Sequence, residues 1–461
     1  MTERIADALV LAFTPGMSLR EWESLGLLVR EWALYERLQP YYGRILLLTY
    51  GTDDDRPILA RLGDGVDLVC NSERLESARY LASIPARVSE LLAPCATVVV
   101  KTNQLPAGPM AVRVAAALRQ QRPAGSVSIV ARGGYLASRF VAYEKGAASP
   151  EARRAGEEEK ALCSAADVVI GTTPKMLDDL AWRWSLQSEA LHLVPNYVLT
   201  DHPPSPGEER DPGLVLYCGQ LTARKRVDII IEAIAALPDP MRHSVTLRVF
   251  GQGPEEARLK ALAADRLIRC EFRGRIPHRD LLEQMSRCAI YAQASELEGH
   301  PKTVLEAMST GATVLVADSP GLGGVVQNGA TGLRVPGNVE CFSQSLAALL
   351  SDPEWRALLG SAAARSARAA FGVDHVASLE VNAHREAARR AARAGEAHGK
   401  LTNPAEVRWE PDLLNATPTV AADRWMHSLE AFARRLSDSG RAELISRLEA
   451  SLRGRGSQSA A

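Results

Sequence analysis

Short apolar runs alternate with amphipathic helical patterns along most of this chain, and that alternation admits few folds. Residues 8–13, 44–49, 97–101, 126–131 and 167–171 are compact apolar runs bounded by turn residues. Helical periodicity lies between them, over 73–92 with Pro85 as a break, over 109–121 and over 151–165. Another long helix is expected from Ser18, where Ser18 and Glu21 have the spacing of a capping box and Trp22, Leu25, Val29 and Trp32 form one apolar face. Strands separated by helices pair in parallel, because each connection must recross the sheet. Residues 201–212 include Pro203, Pro204 and Pro206 and a charged run, which reads as a linker. Beyond it the alternation restarts, with strands over 213–218, 245–250, 269–272, 289–292 and 313–317. The expected fold class is therefore α/β, with one Rossmann-like lobe over 1–200, a second over 213–395, and a cleft between them. A helical extension is expected over 396–461, where two amphipathic patterns follow an aperiodic stretch and the last residues read as disordered. Those two helices are a candidate self-association surface.

Composition narrows the function classes. Hydrophobic residues make up 46% of the 461 and charged residues 24%, an ordinary globular balance, and a net charge of −1 gives no footprint for nucleic acid. The cysteines at 70, 95, 163, 218, 270, 288 and 341 have no paired spacing, and several sit in apolar runs. They are expected to be buried reduced thiols of a cytoplasmic protein, not a disulfide frame or a metal site. No apolar run reaches the ~20 residues that span a bilayer. The first residues lack the basic segment and cleavage-type end of a signal peptide.

In open parallel sheets, ligands sit beyond the carboxyl ends of the strands. The turn after the first strand of the second series carries Gly219, Gln220, Arg224 and Lys225. Cations at a helix start oppose the helix dipole unless an anion sits there. The next strand ends carry Gly251 and then Arg275-Ile276. The apolar run at 289–292 leads into Glu298-Gly299-His300-Pro301-Lys302-Thr303, and a short helix from Pro301 carries Glu306 before Gly311 ends it. Two carboxylates thus flank a helix N-terminus whose free amides favour an anion. On helical spacing Glu306 is expected to face the cleft, opposite Val304, Leu305 and Met308. In the first series, the turn after residue 13 contains Gly16 and opens a helix, a layout suited to phosphate or sugar. No G-x-G-x-x-G follows the first strand of either series, which argues against a generic dinucleotide-binding enzyme.

In order, the segments YCGQL, VFGQGP, FRGRIP, EGHPKTVLEAMSTG, VLVADSPG and NGATGL resemble the C-terminal lobe of the retaining GT-B glycosyltransferases of family four. The resemblance is specific over 213–336, looser over 1–200 and absent beyond 396. It implies a GT-B fold and transfer of a hexose, with retention, from a nucleotide-diphosphate sugar to a glycan, lipid-linked or small-molecule acceptor. It implies no metal and no further cofactor. By the same resemblance Lys225 neutralises the diphosphate, Glu306 accepts from the ribose hydroxyls and Glu298 meets the sugar hydroxyls. Backbone amides from Gly299 through His300 and Pro301 to Lys302 and Thr303 hold sugar and phosphate. Arg275 and Ile276 flank the base, and Gly16 lies against the diphosphate.

Two departures stand out. Gln220 occupies a position where the family usually has Arg, so Arg224 is the expected substitute. No His precedes His192, although many family members carry one near the reacting sugar. Asn103, Arg132 and Tyr135 are the first-lobe candidates in its place. Two alternatives stay open: a nucleotide-sugar epimerase on the same fold, and a nucleotide-sugar-binding protein with a weakened site. The helix over 109–121 carries Arg113 and Arg119, with Arg122 beyond. An ordinary surface helix is the preferred reading there, with peripheral contact to an anionic membrane as the alternative.

Overall fold

The computed structural model describes residues 3–200 and 210–396. Most of the expected linker and nearly all of the expected helical extension lie outside these residues.

The first sheet contains β1 (Ala6–Ala12), β2 (Tyr42–Leu48), β3 (Val66–Val69), β4 (Val98–Thr102), β5 (Val127–Gly133), β6 (Val168–Gly171) and β7 (Leu191–Leu193). All pairings are parallel, in the order β3-β2-β1-β4-β5-β6-β7. Side chains alternate across the pleat, so Leu9 and Leu11 enter one apolar layer and Ala8 and Val10 the other. Both faces are covered, which is why these strands read as continuous apolar runs. The second sheet contains β8 (Asp211–Cys218), β9 (Thr246–Phe250), β10 (Arg269–Gly274), β11 (Cys288–Gln293), β12 (Thr313–Ala317) and β13 (Leu333–Val335), in the parallel order β10-β9-β8-β11-β12-β13. In each sheet the chain winds outward from a central strand in both directions, and the switch points face one cleft.

Three local expectations need correction. The helix from Ser18 is two helices, Leu19–Ser24 and Leu28–Leu38, divided at Gly26 with φ +69. Ser18 does cap the first, its hydroxyl accepting from the Glu21 amide at 3.0 Å. The break rotates the second helix, so Val29 points to solvent and leaves the apolar face assigned to it. Pro85 does not break its helix, which runs Ser77–Leu91, because Tyr80, Ile84 and Val88 pack on the sheet on either side of it.

The third correction concerns the lobe boundary. The helix Val373–Glu396 was expected within the second lobe, but it crosses back to the first. Val373, Val376, Val381 and Ala387 join the apolar layer of Leu9, Leu11 and Ile45. Beneath it lies a buried ionic cluster. Arg132 Nε donates to Glu380 Oε2 at 3.2 Å, and Lys101 Nζ lies 3.2 Å from Glu380 Oε1. Lys101 also donates to the Tyr35 hydroxyl at 2.9 Å, and the Tyr42 hydroxyl and His384 Nδ1 are 2.7 Å apart. Burial holds Lys101 down at about 8, against the pull of Glu380. Two cations buried around one carboxylate leave a large uncompensated charge if that carboxylate is removed. Glu380→Ala should therefore destabilise the protein by about 3–5 kcal/mol, read as a fall in the chemical-denaturation midpoint. A loss under ~0.5 kcal/mol, the scale of ordinary surface substitutions, would show that the cluster does not fasten the crossing helix.

Candidate donor site at the second-lobe strand ends

At the end of β8 the chain turns through Gly219 and Gln220 into a 3-10 turn, Ala223–Lys225. A Cβ on Gly251 would lie 1.9 Å from the Gly219 carbonyl oxygen, so the turns after β8 and β9 interlock only with glycine at 251. This brings Lys225 to the end of β11. Its ammonium donates to Glu298 Oε1 at 2.5 Å. Gln293, the last residue of β11, donates to the same oxygen at 2.8 Å. The Arg224 guanidinium donates to the Leu297 carbonyl, lies 3.6 Å from Glu298 Oε2 and stacks 4.8 Å from the ring of Phe140 in the first lobe. Its buried Nε has no partner.

The helix that follows Glu298 is Lys302–Ser309, with Pro301 as its cap. As its first residues, Lys302 and Thr303 present amides that no carbonyl within the helix can accept from. Glu306 does not line an open face as expected. It is 1% exposed at the seam between the lobes. Its Oε1 accepts from Arg30 Nη1 at 3.2 Å and lies 2.9 Å from His278 Nε2, while Oε2 is buried without a partner. Burial alone would raise this carboxyl. The Arg30 charge, aided by His278, instead holds it below the ordinary range.

Other expected residues separate into two groups. Gly299 comes against the first lobe, where a Cβ would lie 2.3 Å from the Gly134 carbonyl oxygen and 2.7 Å from Tyr135 Cβ. Tyr135 is therefore the first-lobe candidate that the fold brings to the site. Arg132 is not, being committed to Glu380. Among the described residues no contact brings Asn103 to Glu298 or Glu306 either; its Oδ1 lies 3.5 Å from the Tyr35 hydroxyl. The His300 side chain turns away from the site: Nδ1 accepts from the Asn196 amide at 3.0 Å and the ring meets Phe371 edge-on. Burial and nearby cations push it down to about 4, so it is neutral. Only its backbone can serve a ligand. The Gln220 and Arg275 side chains are exposed, and Ile276 packs on the second-lobe core. Gly16, with φ +81, has nothing within 4 Å of a built Cβ.

Arg30, Glu31, His278 and Phe140 also belong to this region and were not expected from sequence. Lys302 Nζ donates to Glu31 Oε1 at 2.6 Å, across the lobes. The membrane alternative at 109–121 loses support, because Arg119 donates to the Val127 carbonyl and Arg122 to the carbonyls of Leu92 and Cys95. Among the described residues, no helix is long and apolar enough to cross a membrane and no acid, His or Cys cluster is placed to hold a metal ion.

The family model described as "Glycosyl transferases group 1" matches residues 200–366. D-inositol 3-phosphate glycosyltransferase of Xylanimonas cellulosilytica is 28% identical over 263 residues, 52% of this chain and 61% of that protein. A GDP-mannose-dependent phosphatidylinositol monomannoside mannosyltransferase of Corynebacterium glutamicum is 34% identical over 161 residues, 32% of this chain and 41% of that protein. The matches thus span less than two thirds of these relatives. Anabaena HepE, solved with UDP, superposes with a TM-score of 0.64 at 18% identity, covering 82% of this chain and 98% of that one. Sucrose-phosphate synthase from Thermosynechococcus elongatus gives 0.63 at 21% identity, with the same coverage. The fold is GT-B.

Two outcomes test this seam. The Lys302 and Arg30 charges hold the Glu31 carboxyl down at about 2, against burial. A depressed carboxyl stabilises the folded state above its ordinary value of 4.5 and loses that contribution as pH falls toward 2. Glu31→Gln should flatten the acid limb of the stability curve in that window; an unchanged limb would remove Glu31 from the seam. Gly299→Ala should hold the lobes apart, seen as an increased radius of gyration in small-angle scattering, and an unchanged radius would contradict the close approach.

Proposed function

We propose that this GT-B chain, whose residues 200–366 belong to the glycosyl transferases group 1, transfers a hexose from a nucleoside-diphosphate sugar to a glycan, lipid-linked or small-molecule acceptor, with retention at the anomeric carbon. The observation that carries the reading is the pair of acids. Glu298 is held by Lys225 and Gln293, and Glu306 has a buried oxygen that no protein donor fills. A carboxylate oxygen without a donor in a dry site is costly, and a ribose hydroxyl supplies one.

In this reading Lys225 and Arg224 face the diphosphate, and the free Nε of Arg224 supports its standing in for the Arg that Gln220 replaces. The amides of Lys302 and Thr303 add donors at the positive end of a helix dipole. Glu298 orients sugar hydroxyls through charge-assisted hydrogen bonds. During transfer the bond from the anomeric carbon to the phosphate oxygen breaks, and a bond to the acceptor oxygen forms on the same face. The acceptor proton passes to the departing phosphate oxygen. The protein's share is positioning and stabilisation of charge on the diphosphate, and no added cofactor is invoked. The epimerase alternative draws no support from the first lobe, where among the described residues 3–200 the only His, His192, lies on the edge strand β7. In this reading the acceptor lies at the first-lobe strand ends, where Tyr135 and Gly134 come against Gly299.

Thermal-shift screening against UDP-, GDP-, ADP- and TDP-sugars should reveal stabilisation by at least one of them, and release of its nucleoside diphosphate should then depend on acceptor. Glu306→Ala should lower kcat/KM by about 10- to 100-fold, the worth of one or more charge-assisted bonds. It should also lower the melting temperature, since Arg30 would lose its partner. Full activity in this variant would sink the site. Gln220→Arg should tighten donor binding; unchanged affinity would mean that Arg224 already fills that role.

A further inference from the structure

We propose that Arg30 is a donor-positioning residue supplied across the cleft by the first lobe: with His278 it occupies one oxygen of Glu306 and so presents the other to a ribose hydroxyl. The inference rests on the donor reading of Glu306 given above. A carboxylate offers about four lone-pair directions on its two oxygens. Here both protein partners fall on Oε1, Arg30 Nη1 at 3.2 Å and His278 Nε2 at 2.9 Å, and none on the buried Oε2. That asymmetry fixes the plane of the carboxylate and leaves one oxygen to accept from a ligand.

Arg30 is itself held from several sides. Its Nε donates to Glu31 Oε1 at 3.2 Å, so the planar guanidinium divides between an acid of its own helix and the donor-site acid. A lysine could not form this fork, because its charge is a single point. The Tyr197 hydroxyl donates to the Arg30 carbonyl at 2.6 Å, which anchors the backbone beneath the side chain. Glu31 is completed by Lys302 at 2.6 Å. Residues 302 and 306 stand one turn apart on a second-lobe helix and meet residues 30 and 31, adjacent on a first-lobe helix. Charge therefore alternates along Lys302, Glu31, Arg30 and Glu306, and crosses the seam twice. Arg30 and Glu306 come from different lobes, so their contact depends on the relative position of the lobes.

The test is equilibrium binding of UDP, GDP and ADP, each against its 2′-deoxy and 3′-deoxy counterpart, to wild type, Arg30→Gln, Arg30→Lys and Glu306→Gln. Wild type should prefer at least one ribose form over a deoxy form by about tenfold, the worth of one charge-assisted bond. Arg30→Gln should bring that ratio close to one, and Arg30→Lys should retain part of it. A purely structural role would weaken all nucleotides alike and leave the ratio intact. If Glu306→Gln abolishes the preference while Arg30→Gln preserves it, the positioning role falls and the donor reading stands. If wild type binds none of the nucleotides, or binds ribose and deoxy forms equally, the donor reading falls and the inference with it.

Discussion

Opposite charges that meet across the cleft give the two lobes their mutual register. Glu306 faces Arg30, and Glu31 faces Lys302, all with side chains less than a fifth exposed. Buried ions gain little over an apolar seam, because desolvation offsets most of their attraction. What they contribute is specificity of placement. Each ion is acceptable in its dry surroundings only while its partner is opposite, so the seam favours one relative position of the lobes. Gly299 against Gly134 and the Arg224 guanidinium on the Phe140 ring add shape to that choice.

The same logic recurs at the back of the first lobe. The helix Val373–Glu396 leaves the second lobe, crosses over and is fastened by Glu380 between Lys101 and Arg132. Val198 and Gly372 bridge where the two crossings pass. The lobes are thus tied at a double crossing on one side and by ion pairs at the cleft on the other, and Glu306 is itself part of the second tie.

The layered architecture was readable because both sheets are covered on both faces, which makes each strand a short apolar run. The second-lobe turns were readable too, since Gly251, Lys225 and Glu298 occupy strand ends where apolar residues would otherwise be expected. Gln293 is the one strongly polar residue of β11, a departure from the apolar run that is visible in the sequence. Arg30 and Glu31 carried no such signal. On a surface helix a charged dipeptide is ordinary, and only the break at Gly26 turns it toward the cleft. The periodicity of Val373–Glu396 announced a buried face without saying which lobe would receive it. Arg132 looked available because its partner, Glu380, lies on that helix.

Binding of a nucleoside-diphosphate sugar between Lys225, Glu298 and Glu306 is the proposal on which the other assignments depend. A crystal structure of the protein with the donor that stabilises it most tests this directly. The account predicts the ribose on Glu306 Oε2, the diphosphate between Lys225 and the amides of Lys302 and Thr303, and the sugar against Glu298. A donor bound elsewhere, or one whose ribose leaves Glu306 untouched, would contradict it.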